Sequence, residues 1–246
     1  MSYKGIIFDK DGTLFDYYTI WAPVFKTTIK GILENFDRGE DADLERDMLH
    51  MLGLGLEGVN PRGLIFKHRK PFMLLYIYRF SRKHKLPFAP LVKAFENSYY
   101  DGKDYIKASL IAHTDENDLL PLFEKLQKHG YRIGIATSDN KESTLVCLEH
   151  FHLIQFIDMI STNDDHFKRK PSPESFVAFC KKFSLLPEEV VVVGDATMDL
   201  AYAKRGKAGY RVGVLTGSKD VKRLSKLAHI LYPSVHELIH DPKLFP

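Results

Sequence analysis

The chain has 246 residues, 44% of them hydrophobic, with 35 Lys and Arg against 32 Asp and Glu and a formal net charge of +3. That length can bury one large core or two unequal ones, and the near-balance of charge gives no general electrostatic drive toward nucleic acid. Cys147 and Cys180 are too few for a disulfide framework and lack Cys-x-x-Cys spacing, so both read as small apolar core residues in a reduced setting.

No apolar run approaches the length that spans a bilayer, and the chain enters its first strand almost at once, which leaves no room for a secretory leader. A cytoplasmic protein is expected. No internal repeat or low-complexity tract appears, which excludes solenoids.

In chain order, Ile6-Ile7-Phe8 is a short apolar run that stops abruptly at Asp9 and Asp11, and Gly12 then allows a turn. Such a run reads as a buried parallel strand. Two carboxylates at its carboxyl end would repel each other unless a cation or proton came between them.

From residue 17 to about 109 the pattern is helical, with hydrophobic residues at three- and four-residue spacing. Ile20, Val24, Phe25, Thr28, Ile32 and Leu33 mark one face of a first helix, a second runs over 44–52, and residues 53–58 read as a flexible glycine-rich connector. Helices are predicted near 61–68, 70–85 and 88–101. Within these, Lys67 to Lys85 is a basic stretch around an apolar middle. It could dock on an acidic membrane or nucleic acid, but packing of that middle inside a helical domain is the favoured reading, so neither partner is expected.

Beyond residue 115 helices alternate with short apolar strands, predicted at 132–136, 157–160, 190–193, 211–214 and 229–232, with helices near 116–129, 140–150, 173–184, 197–205 and 219–226. This alternation predicts an α/β fold, a doubly wound parallel sheet with helices on both faces. The first strand joins that sheet, so residues 1–16 and 110–246 form the core and 17–109 a helical cap inserted above the strand ends. Such a cap would exclude water from a site there.

Further strand ends carry chemistry. Ile133-Gly134-Ile135-Ala136 closes on Thr137-Ser138, a hydroxyl pair before a helix whose free amides would cradle phosphate. Lys168-Arg169-Lys170 lies in a loop stiffened by Pro171 and Pro173. Val190 to Val193 runs into Gly194-Asp195, and Asp199 follows four residues later on the same face of a helix. Hard oxygen donors of this kind suit Mg²⁺, which bridges to a substrate phosphate.

These sites, in this order, resemble the haloacid dehalogenase superfamily of phosphotransferases: Asp9-Lys10-Asp11-Gly12-Thr13-Leu14, Thr137, Lys170, and Gly194-Asp195 with Asp199. Residues 208–217 look like the strand that follows in phosphoglycolate-phosphatase-like members. The resemblance implies a Mg²⁺-dependent phosphomonoester hydrolase acting on a small phosphorylated metabolite such as phosphoglycolate, a sugar phosphate or a nucleotide. It implies Asp9 as the nucleophile that forms an aspartyl-phosphate, and Asp11 as the acid and then the base. Asp9 and Asp195, with the main-chain carbonyl of Asp11, would hold the metal. Thr137, Ser138 and Lys170 would bind the phosphoryl group. Asp199 would orient that shell or Lys170. The active form would be a monomer or homodimer.

Asp11 argues against dehalogenation and phosphonate cleavage, since members with those chemistries replace that second aspartate. A phosphomutase keeps all the motifs and stays open, with Arg62 a weak substrate contact in the cap. A non-catalytic binding module on the same fold also stays open, though such a relative would be expected to lose Asp9, Asp11 or Asp195. The leaving group is read by the cap, where Tyr17, Tyr18 and Trp21 are candidate pocket residues, and no pattern there names it.

Overall fold

The computed structural model describes residues 3–55, 58–59, 63–64, 70–100, 119–217 and 220–246. The chain divides into two compact units, Met1–Tyr17 with Thr114–Pro246, and Tyr18–His113. The strands are β1 (Gly5–Phe8), β2 (Leu54–Gly55), β3 (Gly58–Val59), β4 (Arg132–Ala136), β5 (Met159–Ser161), β6 (Val190–Gly194), β7 (Tyr210–Val214) and β8 (Ile230–Tyr232).

In the first unit a parallel sheet has the order β5-β4-β1-β6-β7-β8. Ile6, Ile7 and Phe8 are at most 2% exposed. Burying each such side chain contributes about 1.5–3 kcal/mol, which explains the unbroken apolar run. In register, Phe8 lies between Ile135 of β4 and Val193 of β6, and the Asp9 amide extends the ladder by donating to Val193 O at 2.9 Å. From β1 the chain works outward through β4 to β5, then returns to β6 on the other side of β1. The strand order therefore reverses between β1 and β6, and ligands of open parallel sheets bind at such a reversal, beyond the strand carboxyl ends.

The helices Leu120–Lys128, Lys141–His150, Glu174–Phe183 and Thr197–Gly206 connect these strands. One core cluster sets Phe176, Phe179 and Tyr202 from these helices against Ile7, Ala136, Val190 and Val192 of the sheet. Cys147 and Cys180 are both buried and unbridged, as expected.

The second unit holds the helices Tyr17–Glu34, Ala42–Leu52, Lys70–His84 and Phe88–Tyr100 around Ile29, Leu33, Leu44, Met48 and Leu91. Asp41 caps the second of these by accepting the Leu44 amide, and Gly53 ends it in the left-handed conformation. Residues 54–59 are not a plain connector: β2 and β3 pair antiparallel there. The helix expected near 61–68 falls mostly outside the described residues. In Lys70–His84 the apolar middle is only partly packed. Ile77 and Phe80 are buried, whereas Phe72 and Tyr78 are about half exposed, at 52% and 47%. Among the described residues no helix is long and apolar enough to cross a membrane.

Candidate active site

Strand β1 delivers Asp9 and Asp11, and β6 delivers Asp195, on the two sides of the reversal point. Both Asp9 and Asp195 are buried, at 9% and 8% exposure. Asp199 sits in the first turn of the helix Thr197–Gly206, where its Oδ2 accepts the Ala196 amide at 3.0 Å. Gly194 is required by this arrangement, since a Cβ there would lie 2.3 Å from Asp199 Cβ.

Lys170 arrives from the loop after β5. Its ammonium donates to Asp9 Oδ1 at 2.5 Å, to Asp199 Oδ1 in a second ion pair, and to Ala136 O at 2.8 Å. Of the three basic residues in that loop it is the one that reaches the strand ends. Lys168 instead pairs with Glu174 at 3.0 Å with its side chain in water, and Arg169 is exposed. Burial alone would push the Lys170 ammonium toward neutrality, but Asp199 and Asp9 outweigh it and hold its affinity for the proton above the ordinary lysine range. For Asp9 burial dominates and raises its carboxyl to about 7 despite Lys170, with Asp199 adding to the rise. A cation at Asp9 and Asp195 would reverse that shift.

Oxygens of Asp9, Asp195 and Asp199 lie within 4.8 Å of one another, a donor set that could hold a divalent cation. Within that set Asp199 has one oxygen on Lys170 and the other on the Ala196 amide. Asp195 is steadied by Thr13, whose hydroxyl donates to Oδ1 at 3.2 Å.

On the β4 side Thr137 is buried and Ser138 exposed. The Thr137 hydroxyl oxygen accepts the Asp139 amide at 3.1 Å. Two of the amides expected to cradle a phosphate here are engaged within the chain. Asp164 takes the Lys141 amide at 2.7 Å and Asn140 takes the Ser143 amide at 2.8 Å, because short acceptors placed just before a helix cap it. Arg62 lies outside the described residues, as do the side chains of Tyr17 and Tyr18. Trp21 is half-buried, its ring 5.9 Å from that of Phe25.

Sequence reasoning missed Lys10, Thr13 and Asp139. Lys10 is fully buried, with its ammonium 2.8 Å from Asp11 Oδ1 and 3.0 Å from Asp139 Oδ2. The available signal was a lysine set between two aspartates straight after a buried strand.

The model of the haloacid dehalogenase-like hydrolases matches residues 3–207. Among curated relatives, a pyrophosphatase PpaX of Bacillus mycoides is 25% identical over 200 residues, which cover 81% of this chain and 78% of that one. A phosphoglycolate phosphatase of Nitrosospira multiformis is 26% identical over 113 residues, 46% of this chain and 49% of the relative. Among solved structures, a subfamily IA hydrolase of the same superfamily from Geobacter sulfurreducens superposes with a TM-score of 0.64 at 17% identity, covering 97% of this chain and 95% of its own. The family resemblance and the α/β fold expected from it are borne out: the chain belongs to the haloacid dehalogenase-like hydrolase family.

Proposed function

We propose that the protein is a Mg²⁺-dependent phosphatase of small phosphorylated metabolites, working through an aspartyl-phosphate on Asp9. The observation that carries this reading is the convergence of Asp9, Lys170 and Asp195 at the point where the strand order reverses. Asp9 and Asp195, with the Asp11 main-chain carbonyl, would hold the cation. The bound cation supplies positive charge to the phosphoryl oxygens, which otherwise repel an anionic nucleophile.

The chain's own residues then divide the work. An Asp9 carboxylate oxygen bonds to phosphorus as the bond to the leaving oxygen breaks, and Asp11 gives that oxygen its proton. Asp11 next takes a proton from water, whose oxygen bonds to phosphorus while the Asp9–phosphorus bond breaks. Inorganic phosphate leaves, and both carboxyls return to their starting states. Lys170 and Thr137, with Ser138 at the mouth, hold the transferring group, and Asp199 fixes Lys170.

The named relatives act on pyrophosphate and on phosphoglycolate, so what they share is the phosphoryl group and not the leaving group. A small phosphate ester or anhydride is the substrate class that follows. The protein would meet it as a cytoplasmic monomer or homodimer.

The test is turnover of an aryl phosphate with Mg²⁺, with Mg²⁺ chelated, and by Asp9→Asn. Loss of several orders of magnitude in the last two is expected. Activity that survives either change rules the mechanism out. No activity on any member of a panel of phosphorylated metabolites and pyrophosphate would favour a binding module, and bisphosphate-dependent sugar phosphate isomerisation would favour a mutase.

A further inference from the structure

A buried lysine is expensive. Removing its ammonium from water costs several kcal/mol unless partners restore the lost solvation, and Met would fill the same space without that cost. Lys10 nevertheless occupies the middle of the first motif with no exposed surface. Its position is set by its surroundings. The Lys10 carbonyl accepts the amides of Thr13, Leu14 and Phe15, which closes the turn after β1. Its ammonium reaches Asp11 Oδ1 at 2.8 Å and Asp139 Oδ2 at 3.0 Å, and passes 4.0 Å from Cys147 Sγ.

Asp139 is itself fixed. Its amide donates to Thr137 Oγ1 at 3.1 Å, its Oδ1 accepts the Asn140 amide at 2.8 Å, and its carbonyl accepts the Asn163 amide at 2.8 Å. Lys10 thus bridges the turn after β1 to the turn after β4, the first carrying Asp11 and the second Thr137. Two carboxylates on different loops share one ammonium that is screened from water. In such a setting the hydrogen bond to Asp11 and the ion pair to Asp139 hold geometry far better than they would at the surface.

We propose that Lys10 is a positioning residue that fixes the Asp11 carboxylate for proton transfer and, through Asp139, ties it to the turn that carries Thr137. The inference rests on the reading of Asp11 as acid and base given above. It adds a partner that makes the acid's placement independent of the substrate. Proton delivery to a leaving oxygen depends on that placement, and a positioned acid is worth roughly 10²–10⁴-fold when the leaving group is basic.

The experiment compares kcat/KM for para-nitrophenyl phosphate and for a simple alkyl phosphate, in the full chain with Mg²⁺. This ratio reports the steps through release of the alcohol. An aryl oxide leaves without a proton, whereas an alkoxide needs one. Lys10→Met should lower kcat/KM for the alkyl ester about 100-fold and for the aryl ester by less than about threefold. In an Asp11→Asn background the same substitution should have no further effect on the alkyl ester, because Lys10 acts through Asp11.

Equal losses on both esters, or a loss that persists in the Asp11→Asn background, would overturn the proposal. Where Lys10→Met does not fold, Asp139→Asn, which keeps the shape and the acceptor for Asn140, should show the same skew toward the alkyl ester at smaller size. An even loss there overturns it equally. Failure of the underlying reading looks different: the wild-type protein would turn over neither ester, or Asp9→Asn would match it.

Discussion

Gly217 is packed against the carboxylate of Asp195 so closely that a Cβ on it would lie 2.1 Å from Oδ2. Gly12 closes the same carboxylate from another side. Its φ of +83° suits glycine, and its Cβ would meet Asp195 Cγ at 2.9 Å. With Thr13 on Oδ1, the Asp195 carboxylate is held by the turns after β1 and β7 together.

Gly217→Ala should therefore displace Asp195 without disturbing the sheet. Mg²⁺ affinity measured by calorimetry is expected to fall about 10–100-fold, the usual effect of disturbing the groups that orient a metal ligand. Circular dichroism should be unchanged. Wild-type Mg²⁺ affinity in the folded variant would show that Asp195 is not a ligand.

Lys170→Met leaves Asp9 and Asp199 facing each other without their shared cation. Removing one partner from a buried charge cluster costs about 3–5 kcal/mol, so denaturant midpoints should fall sharply along with activity. Adding Asp9→Asn removes half of the stranded charge, and the double variant should be less destabilised than the sum of the singles. Strict additivity would contradict the ion-pair account.

Asp11→Asn should separate attack from release. If Asp9 is the nucleophile, as proposed, an aryl phosphate should still phosphorylate it, giving a burst of phenol equal to the enzyme concentration followed by slow turnover. The adduct should be acid-stable and cleaved by hydroxylamine. Wild-type turnover of an alkyl phosphate by this variant would contradict the role given to Asp11.

Alkaline pH should unfold the core early. Burial pushes the Cys147 thiol up to about 12, although Lys10 pulls the other way. Burial together with Asp241 raises the Tyr131 and Tyr232 hydroxyls to about 12. Their unfolded values are about 8.5 for the thiol and about 10 for the phenols. The fold favours the neutral forms, so this stabilisation is complete below about pH 8 and is lost as pH rises through about 12. The melting temperature should fall steadily between about pH 9 and 12, and the tyrosinate absorbance of Tyr131 and Tyr232, taken as the difference from their Tyr→Phe variants, should rise only as the protein unfolds. Tyr131 and Tyr232 ionising near pH 10 in the folded state would refute it. At pH 8 a thiol reagent should leave Cys147 untouched until denaturant is added.

The core was legible because its signals are local. Val190 to Val193 is a strand since four adjacent branched side chains are buried on both faces of a parallel sheet, and no distant information is needed to see that. The helical inserted segment was readable from its period, although the β2–β3 pair was not, because glycines at 53, 55 and 58 mark a loop and a tight antiparallel turn equally well. The exposure of Phe72 and Tyr78 was misjudged for a related reason: periodicity names a face but not whether anything covers it.

For the site, the sequence pointed to Asp9, Asp11, Thr137 and Asp195 at the ends of apolar runs and to Lys170 in a loop stiffened by Pro171 and Pro173, all residue types that suit phosphate chemistry. Tertiary structure decided which charges meet. That Lys170, and neither Lys168 nor Arg169, reaches Asp9 depends on a loop returning across 161 residues of chain. That Lys10 is buried between Asp11 and Asp139 depends on β1 lying beside β4. Pairing of this kind follows from strand order, and strand order is fixed by the packing of the whole sheet rather than by any stretch of residues within it.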